Sequence, residues 1–453
     1  MTDPLETLKT SIKALAEVKK YATLRDILST MNAADIASLF EDDMPEEIVP
    51  LLYRLLPKEL AADTFVEMEP DTQQMLITGF SDNELKEVVD ELYVDDAVDL
   101  VEEMPANVVK RILMQADAQK RQMINTILKY PEDSAGSIMT TEFVDLRPHM
   151  TAEDAILHIR RSGITKETIN NCYICSKDRK LIGVVTIRGL IMAENSQTME
   201  ELMEENVIAV TTIEDQETVA QQFSKYGFLA MPVVDREDRL VGIVTVDDVL
   251  DVLEEEVTED IEKMAAIVPA DKPYLRMTSF ELWKSRIPWL LLLMVSATFT
   301  GIIITGFEDS LAKYVVLTAY IPMLMDTGGN SGSQASVTVI RGISLNEIEF
   351  KDIFRVIFKE MRVALLCGIT LAVCNLAKLM LFDRLAIMVA ATICLTLVVT
   401  IFCAKIVGCS LPLIAYRLGF DPAVMASPFI TTIVDAISLL VYFQFATRLL
   451  GLG

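Results

Sequence analysis

The spacing of apolar residues divides the 453-residue chain into three textures. Over residues 1–130 they recur at three- and four-residue steps, as in Ile36, Leu39, Phe40 and then Ile48, Leu51, Leu52, Leu55, which predicts helices throughout. The helices are cut short at DDMPEE (42–47), LLPKE (55–59), EMEPD (67–71) and EEMPAN (102–107). Proline fits a first helical turn and cannot continue the turn before it. Short helices stacked as a superhelical array are the simplest reading, with an irregular helical domain as the alternative. From 131 to 253 strands and helices alternate. Beyond 275, apolar stretches predict five membrane spans, at 287–307, 312–340, 355–381, 385–409 and 424–450. Each exceeds the roughly 20 residues that a bilayer crossing needs. The expectation is a multi-domain membrane protein: helical domain 1–130, α/β domain 131–253, connecting helix 254–275 and an all-α transmembrane domain 276–453.

The middle texture repeats. LIGVVTIRGLIMAE (181–194) matches LVGIVTVDDVLDVL (240–253), and SIMTTEFVDLRPHMTAEDAI (137–156) matches ELMEENVIAVTTIEDQETVA (201–220). Each copy reads as a strand, a helix and then β-β-α, with Gly183 or Gly242 expected in the tight turn. This resembles a tandem pair of CBS domains, a regulatory module that dimerises and often carries an adenosine-nucleotide cleft. Cys172 and Cys175 form a CxxC, but in a strand-like run that puts them on opposite faces. There is no second such pair, so they read as buried thiols and not as a zinc or redox site.

Charge sharpens the division. Residues 1–270 carry a net charge of −29 and residues 271–453 a net charge of +3. The acidic half repels nucleic acid and concentrates cations. The opening MTDPLETLKTSIKALAEVKK is charged and amphipathic, unlike a secretory leader, which predicts a cytoplasmic soluble part. Basic residues bracket the first span (Arg276, Lys284, Arg286), cluster between the second and third (Arg341, Lys351, Arg355, Lys359, Arg362) and recur as Lys405 and Arg417. The positive-inside rule then places the N-terminal body inside a cell membrane and the closing GLG outside.

Two anomalies within the spans carry the chemistry. PMLMDTGGNSGSQASVTVI (322–340) is too polar to face lipid. Its Gly328, Gly329 and Gly332 are expected to loosen the helix and free carbonyls, while Asp326, Asn330, Ser331, Ser333 and Gln334 add oxygen donors. A packing seam of small residues accounts for the glycines but not for the aspartate. Asp435 lies in the middle of the last span, where a carboxylate costs roughly 2.5–3.5 kcal/mol and marks a substrate path. Thr431 is one turn away on its face. Hard oxygen donors without thiol or imidazole partners suit Mg²⁺ or Ca²⁺. No basic ring favours anions, and no nucleophile–base pair in the soluble half suggests an enzyme.

Between the soluble body and the spans lies DDVLDVLEEEVTEDIE, with nine carboxylates from Asp247 to Glu262 and no basic residue. On a helix, Asp248, Asp251, Glu255, Glu259 and Glu262 share one stripe, and Val249, Leu253, Val257, Ile261 and Met264 share another. Like charges at i,i+4 repel, so on composition alone the run reads as a solvated face, and cations bridging it to other acids would reverse the sign of the interaction.

The chain as a whole resembles the MgtE family of magnesium transporters, on the motifs GGNSGSQ (328–334), LGFDPAVMASPFITTIVD (418–435) and VDDVLDVLEEEVTEDI (246–261). The resemblance implies a homodimeric Mg²⁺ channel in the lipid bilayer that cytosolic Mg²⁺ closes. It places the pore ion at Asp435, with Asp326, Asn330 and Thr431 around it. It assigns regulatory Mg²⁺ to Asp95, Asp96, Asp99, Asp248, Asp251, Glu255, Glu256, Glu259, Asp260 and Asp421, the last tying the connecting helix to the pore. Gly227 and Gly189 stand where some relatives carry acids. The second weakens the expected ribose contact in the CBS cleft, so ATP is not assigned. The rival readings are a CBS-regulated transporter of Co²⁺ or Mn²⁺, a Na⁺-coupled carrier, and a membrane-anchored nucleotide sensor without transport.

Overall fold

The computed structural model describes residues 4–270, 274–275, 277–425 and 427–451. Arg276 and the last two residues of the closing GLG lie outside the described residues, as does Ala426 within the motif at 418–435. The chain forms two compact units, residues 1–253 and 254–453.

The first unit opens with short helices that end where the proline punctuation stands. Ala33–Ser38 packs on Lys58–Val66, which packs on Asp82–Glu91, which packs on Ala106–Gln115. In the second row, Val94–Glu103 (α1) packs on Ala118–Ile127. Contact between every second helix is how a stacked array buries amphipathic faces too small to fold alone. Ser81 caps the Asp82–Glu91 helix in a reciprocal box with Glu84, satisfying two of its free N–H groups.

The two repeats follow. In the first, β1 (Val144–Leu146), α2 (Ala152–Ser162), β2 (Asn171–Cys175), β3 (Leu181–Thr186) and α3 (Ile187–Met192) form a sheet of order β1-β2-β3. In the second, β4 (Val210–Thr211), α4 (Gln216–Tyr226), β5 (Ala230–Val234), β6 (Leu240–Thr245) and α5 (Val246–Met264) repeat it as β4-β5-β6. Each sheet has one parallel and one antiparallel pairing, and each antiparallel pairing carries an irregularity at the same place. The turns are made by Arg179 and Asp238, at φ 63° and 61°, and not by Gly183 and Gly242. Those glycines lie inside β3 and β6, where a Cβ would meet Met203 Sδ at 2.5 Å or Met139 Sδ at 2.6 Å. Their role is close approach of a neighbouring chain segment, which corrects the expectation of turn glycines. Cys172 and Cys175 are buried and unbridged, in two different core clusters.

The second unit contains the end of α5 and five long helices: α6 (Ser279–Gly306), α7 (Ile321–Ser344), α8 (Ile353–Leu381), α9 (Ile387–Arg417) and α10 (Ser427–Leu450). Four of these stretches are apolar and long enough to cross a membrane; α7 is long enough but too polar to qualify. The apolar run expected to span from 312 is interrupted. Val315–Tyr320 is a 3-10 turn, and α7 starts at Ile321 with Pro322 in its first turn. Tyr442 of α10 donates to the Leu317 carbonyl at 3.0 Å, and Tyr320 donates to Asp383 at 2.8 Å, which fixes this irregular entry. α8 and α9 share a buried ion pair, Lys405 Nζ to Glu360 Oε2 at 3.3 Å, with Lys405 only 4% exposed.

Candidate cation sites

Three groupings of carboxylates arise. The first lies in the first unit, at the N-terminus of α1. Asp95 and Asp96 occupy its opening turn, where the helix dipole favours negative charge. Glu142, from the segment before β1, accepts the Val94 N–H at 2.9 Å and so caps the same terminus. Asp248 stands at the start of α5 and accepts the Thr245 hydroxyl at 2.5 Å. These acids are near enough for their charges to act on one another.

Burial and mutual repulsion strain these carboxylates. Burial, followed by the charges of Asp248, Asp96 and Glu167, holds Asp95 well above the carboxylate range. Burial chiefly, with Asp247 and Glu142 adding, pushes Asp96 up to about 6. Glu167 is pushed up to about 8 by burial and then by Asp96, Asp247 and Asp248, and its Oε2 is buried without a hydrogen-bond partner. Asp248 is raised in the same way, by burial first, against the Thr245 hydrogen bonds that lower it. The nearest buried cation, Lys120, is spent on backbone carbonyls of Val89, Asp90 and Leu92. Acids removed from water that outnumber the cations near them, here Lys120 and Lys166, repel one another, so the cluster is poised to take up protons or a cation.

Asp99 lies one turn along α1 from Asp95 and Asp96, exposed. Asp251 and Glu255 are exposed along α5, with Glu256 half-buried between its ends. The apolar stripe of α5 is buried at Val249 and half-buried at Leu253 and Met264, but exposed at Val257 and Ile261; off the stripe, Val252 is buried and Leu250 exposed.

The second grouping joins the end of α5 to the start of the last helix, inside the second unit. Lys263 Nζ lies 2.6 Å from Glu259 and 2.7 Å from Asp421. Asp421 also accepts the Ala423 N–H at 2.8 Å, and Asp260 accepts the Ser344 hydroxyl at 3.4 Å. Burial alone lowers the Lys263 ammonium, but its bonds to Asp421 and Glu259 outweigh that and hold it above its usual value. Met264 packs on Ile340 and Ala423 beside these charges.

The third grouping surrounds α7. Gly328, Gly329 and Gly332 do not loosen this helix, which runs unbroken from Ile321 to Ser344. They are where other helices touch it. A Cβ on Gly328 would lie 2.7 Å from Thr400, on Gly329 2.8 Å from Thr431, and on Gly332 2.8 Å from Ile430. The expected freed carbonyls are therefore corrected to a small-residue seam, because glycine removes the side chains that keep helices apart. The opposite edge is uncovered. Asp326, Asn330, Gln334 and Thr338 are exposed at four-residue steps, which makes one polar stripe along α7. Thr431 and Asp435 are half-buried on α10, with Asp435 Oδ1 buried and unpartnered and its charge within Coulombic reach of Asp326.

Glu142, Glu167 and Lys263 were not foreseen as members of these groupings. Glu142 and Glu167 are isolated acids in loops and carry no local signal. Lys263 had one, since it directly follows the acidic run. Among the described residues, no three acidic, His or Cys side chains already stand as a metal cage. Such loose oxygen sets suit an ion that keeps its water, as Mg²⁺ does. At α3, Thr186 caps the helix, its Oγ1 accepting the Gly189 N–H at 3.1 Å.

Comparison with known proteins matches the chain domain by domain. Residues 321–445 match the divalent cation transporter family model, 31–133 the MgtE intracellular N domain, and 135–196 and 199–255 the CBS domain. The chain is 36% identical to magnesium transporter MgtE of Thermus thermophilus over 98% of this chain and 99% of that protein. It is 33% identical to magnesium transporter MgtE of Bacillus subtilis over 94% of each. The crystal structure of the cytosolic domain of the Mg²⁺ channel MgtE in complex with ATP matches with a TM-score of 0.52 and 34% identity, covering 54% of this chain and 99% of that one. The soluble part of a magnesium transporter matches at the same TM-score and 29% identity, over 56% and 99%.

Proposed function

The chain belongs to the MgtE family of magnesium transporters, and from that membership we propose that it carries Mg²⁺ across the cell membrane and is closed by cytosolic Mg²⁺. The observation that carries the reading is the uncovered polar stripe Asp326, Asn330, Gln334, Thr338 on a membrane-length helix, with Asp435 beside it. A stripe of this kind cannot face hydrocarbon, so it lines water. A second copy of the chain across a two-fold axis closes that water path, and the exposed Leu250, Val257 and Ile261 of α5 give the same copy an apolar contact. Five crossings then leave the soluble unit cytoplasmic and the C-terminus outside.

Gating follows from the acidic grouping at α1. When Mg²⁺ is abundant inside, ions neutralise Asp95, Asp96, Asp99 and Asp248, with Glu142 and Glu167, and the acids of α5 from Asp251 through Glu255, Glu256, Glu259 and Asp260 to Asp421. When it falls, like charges drive these elements apart. One similar cytosolic domain was solved in complex with ATP, but Gly189 stands where a ribose-binding acid is expected, so nucleotide has no part in the proposed gating.

Mg²⁺ entry into liposomes containing the purified protein tests the proposal, alongside growth of an uptake-deficient strain. Wild type transports and rescues, and external Na⁺ gradients leave the flux unchanged. Absence of Mg²⁺ flux removes the reading, and flux that follows Na⁺ replaces it with a coupled carrier.

A further inference from the structure

The acidic run that leads to the membrane helices ends in a lysine, and that lysine already occupies two of the carboxylates assigned to regulatory Mg²⁺. Lys263 Nζ sits 2.6 Å from Glu259 and 2.7 Å from Asp421. Asp260 adds a third carboxylate whose charge reaches Asp421. Three acids of the connecting helix and the last-helix entry thus converge around one protein cation. The stem of Lys263 is partly covered, and Met264 next to it is packed on Ile340 and Ala423, so the ammonium is delivered to this spot by the fold.

We propose that Lys263 is a tethered counter-cation that competes with Mg²⁺ for Glu259 and Asp421 and thereby sets the Mg²⁺ concentration at which the connecting helix locks onto the last helix. A hydrated divalent ion gains these carboxylates only by displacing the ammonium. Any ligand whose site is partly filled by a competing group binds with its apparent affinity reduced by the fraction of time the site is free. The same ammonium supplies a weaker bridge when Mg²⁺ is scarce, so the junction is held without ever being saturated. Lysine suits this role: it is a compact, strongly hydrated point charge on a flexible stem, able to leave. Arginine, with its rigid fork, would stay.

The inference rests on closure by cytosolic Mg²⁺. Its test has a readout other than transport. The full-length protein in detergent is treated with protease across a Mg²⁺ series, and protection of the segment after Met264 is followed. In parallel, flux is measured in liposomes with the internal Mg²⁺ varied. With Lys263→Gln the midpoint for protection and for closure is expected to fall about three- to tenfold, while protection without Mg²⁺ is lost. Lys263→Arg is expected to move the midpoint upward. Lys263→Met, which keeps an unbranched stem, carries the same test should the glutamine variant be poorly retained. An unchanged or raised midpoint in both neutral variants overturns the tethered cation and leaves transport and gating standing. A wild type that transports Mg²⁺ but shows no Mg²⁺-dependent protection or closure overturns this inference together with the gating it rests on.

Discussion

Gly408 of α9 and Gly332 of α7 meet backbone to backbone: a Cβ placed on Gly408 would lie 2.2 Å from the Gly332 carbonyl oxygen. Nothing flexible can move aside, since the obstacle is main chain. Gly408→Ala is expected to cost about 1–3 kcal/mol, seen as a lower melting temperature in detergent, with reduced Mg²⁺ flux. Gly301→Ala is the control, because its Cβ would meet nothing within 4 Å. Equal behaviour of the two variants would show that the seam has no energetic role.

Asp435 holds a buried carboxylate oxygen with no hydrogen-bond partner. Leaving such an atom unsatisfied costs about 1–3 kcal/mol. Asp435→Asn is therefore expected to abolish Mg²⁺ flux while leaving the melting temperature unchanged or raised. A parallel loss of fold and flux would make Asp435 a packing residue.

The acids at α1 link stability to pH. Asp96 and Glu167 titrate at about 6 and about 8 in the fold, above their ordinary values, because of burial and then like charge. A carboxyl whose folded pKa is raised binds protons better folded than unfolded, so stability falls as pH rises from the ordinary carboxylate range through these values. In chelator, the melting temperature of the protein is expected to rise between about pH 8 and about pH 5. Mg²⁺ should stabilise most at the alkaline end and lose its effect as the acids take up protons. Thermal scans across that range check both slopes; a melting temperature that falls on acidification in chelator refutes the strained cluster.

Lys405 and Glu360 form an ion pair with side chains 5% and 15% exposed. Lys405→Met alone is expected to destabilise by about 3–5 kcal/mol, because it strands a buried carboxylate. Adding Glu360→Gln or Glu360→Met should recover most of that loss in thermal or denaturant melts. If the double variant is no better than the single one, the two charges act separately.

The three textures of the sequence map onto helices, paired α/β repeats and long apolar helices because each depends on periodicity, which is local. What periodicity could not give is who meets whom. Gly328 and Gly332 are compatible with a loosened helix and with a close seam, and only the positions of Thr400 and Ile430 decide between them. Gly183 and Gly242 looked like turn residues because glycine often is one, yet the turns went to Arg179 and Asp238. Glu142 and Glu167 join Asp95 from sequence distances over which no spacing rule operates. Asp326, Asn330, Asp435 and Thr431 stand out in the sequence as candidates, because they are polar groups inside apolar spans. Lys263 lay beside the acidic run and was passed over because the run was defined by what it lacked.

The pairing of Lys405 with Glu360 also ties α8 to α9 at one point along their length. Separating the two helices there would leave each charge without its partner, which is costly away from water. Beyond it α9 ends at Arg417, and the chain turns through Gly419 at φ 80° before Asp421. The carboxylate held by Lys263 thus stands two residues beyond a backbone turn that favours glycine.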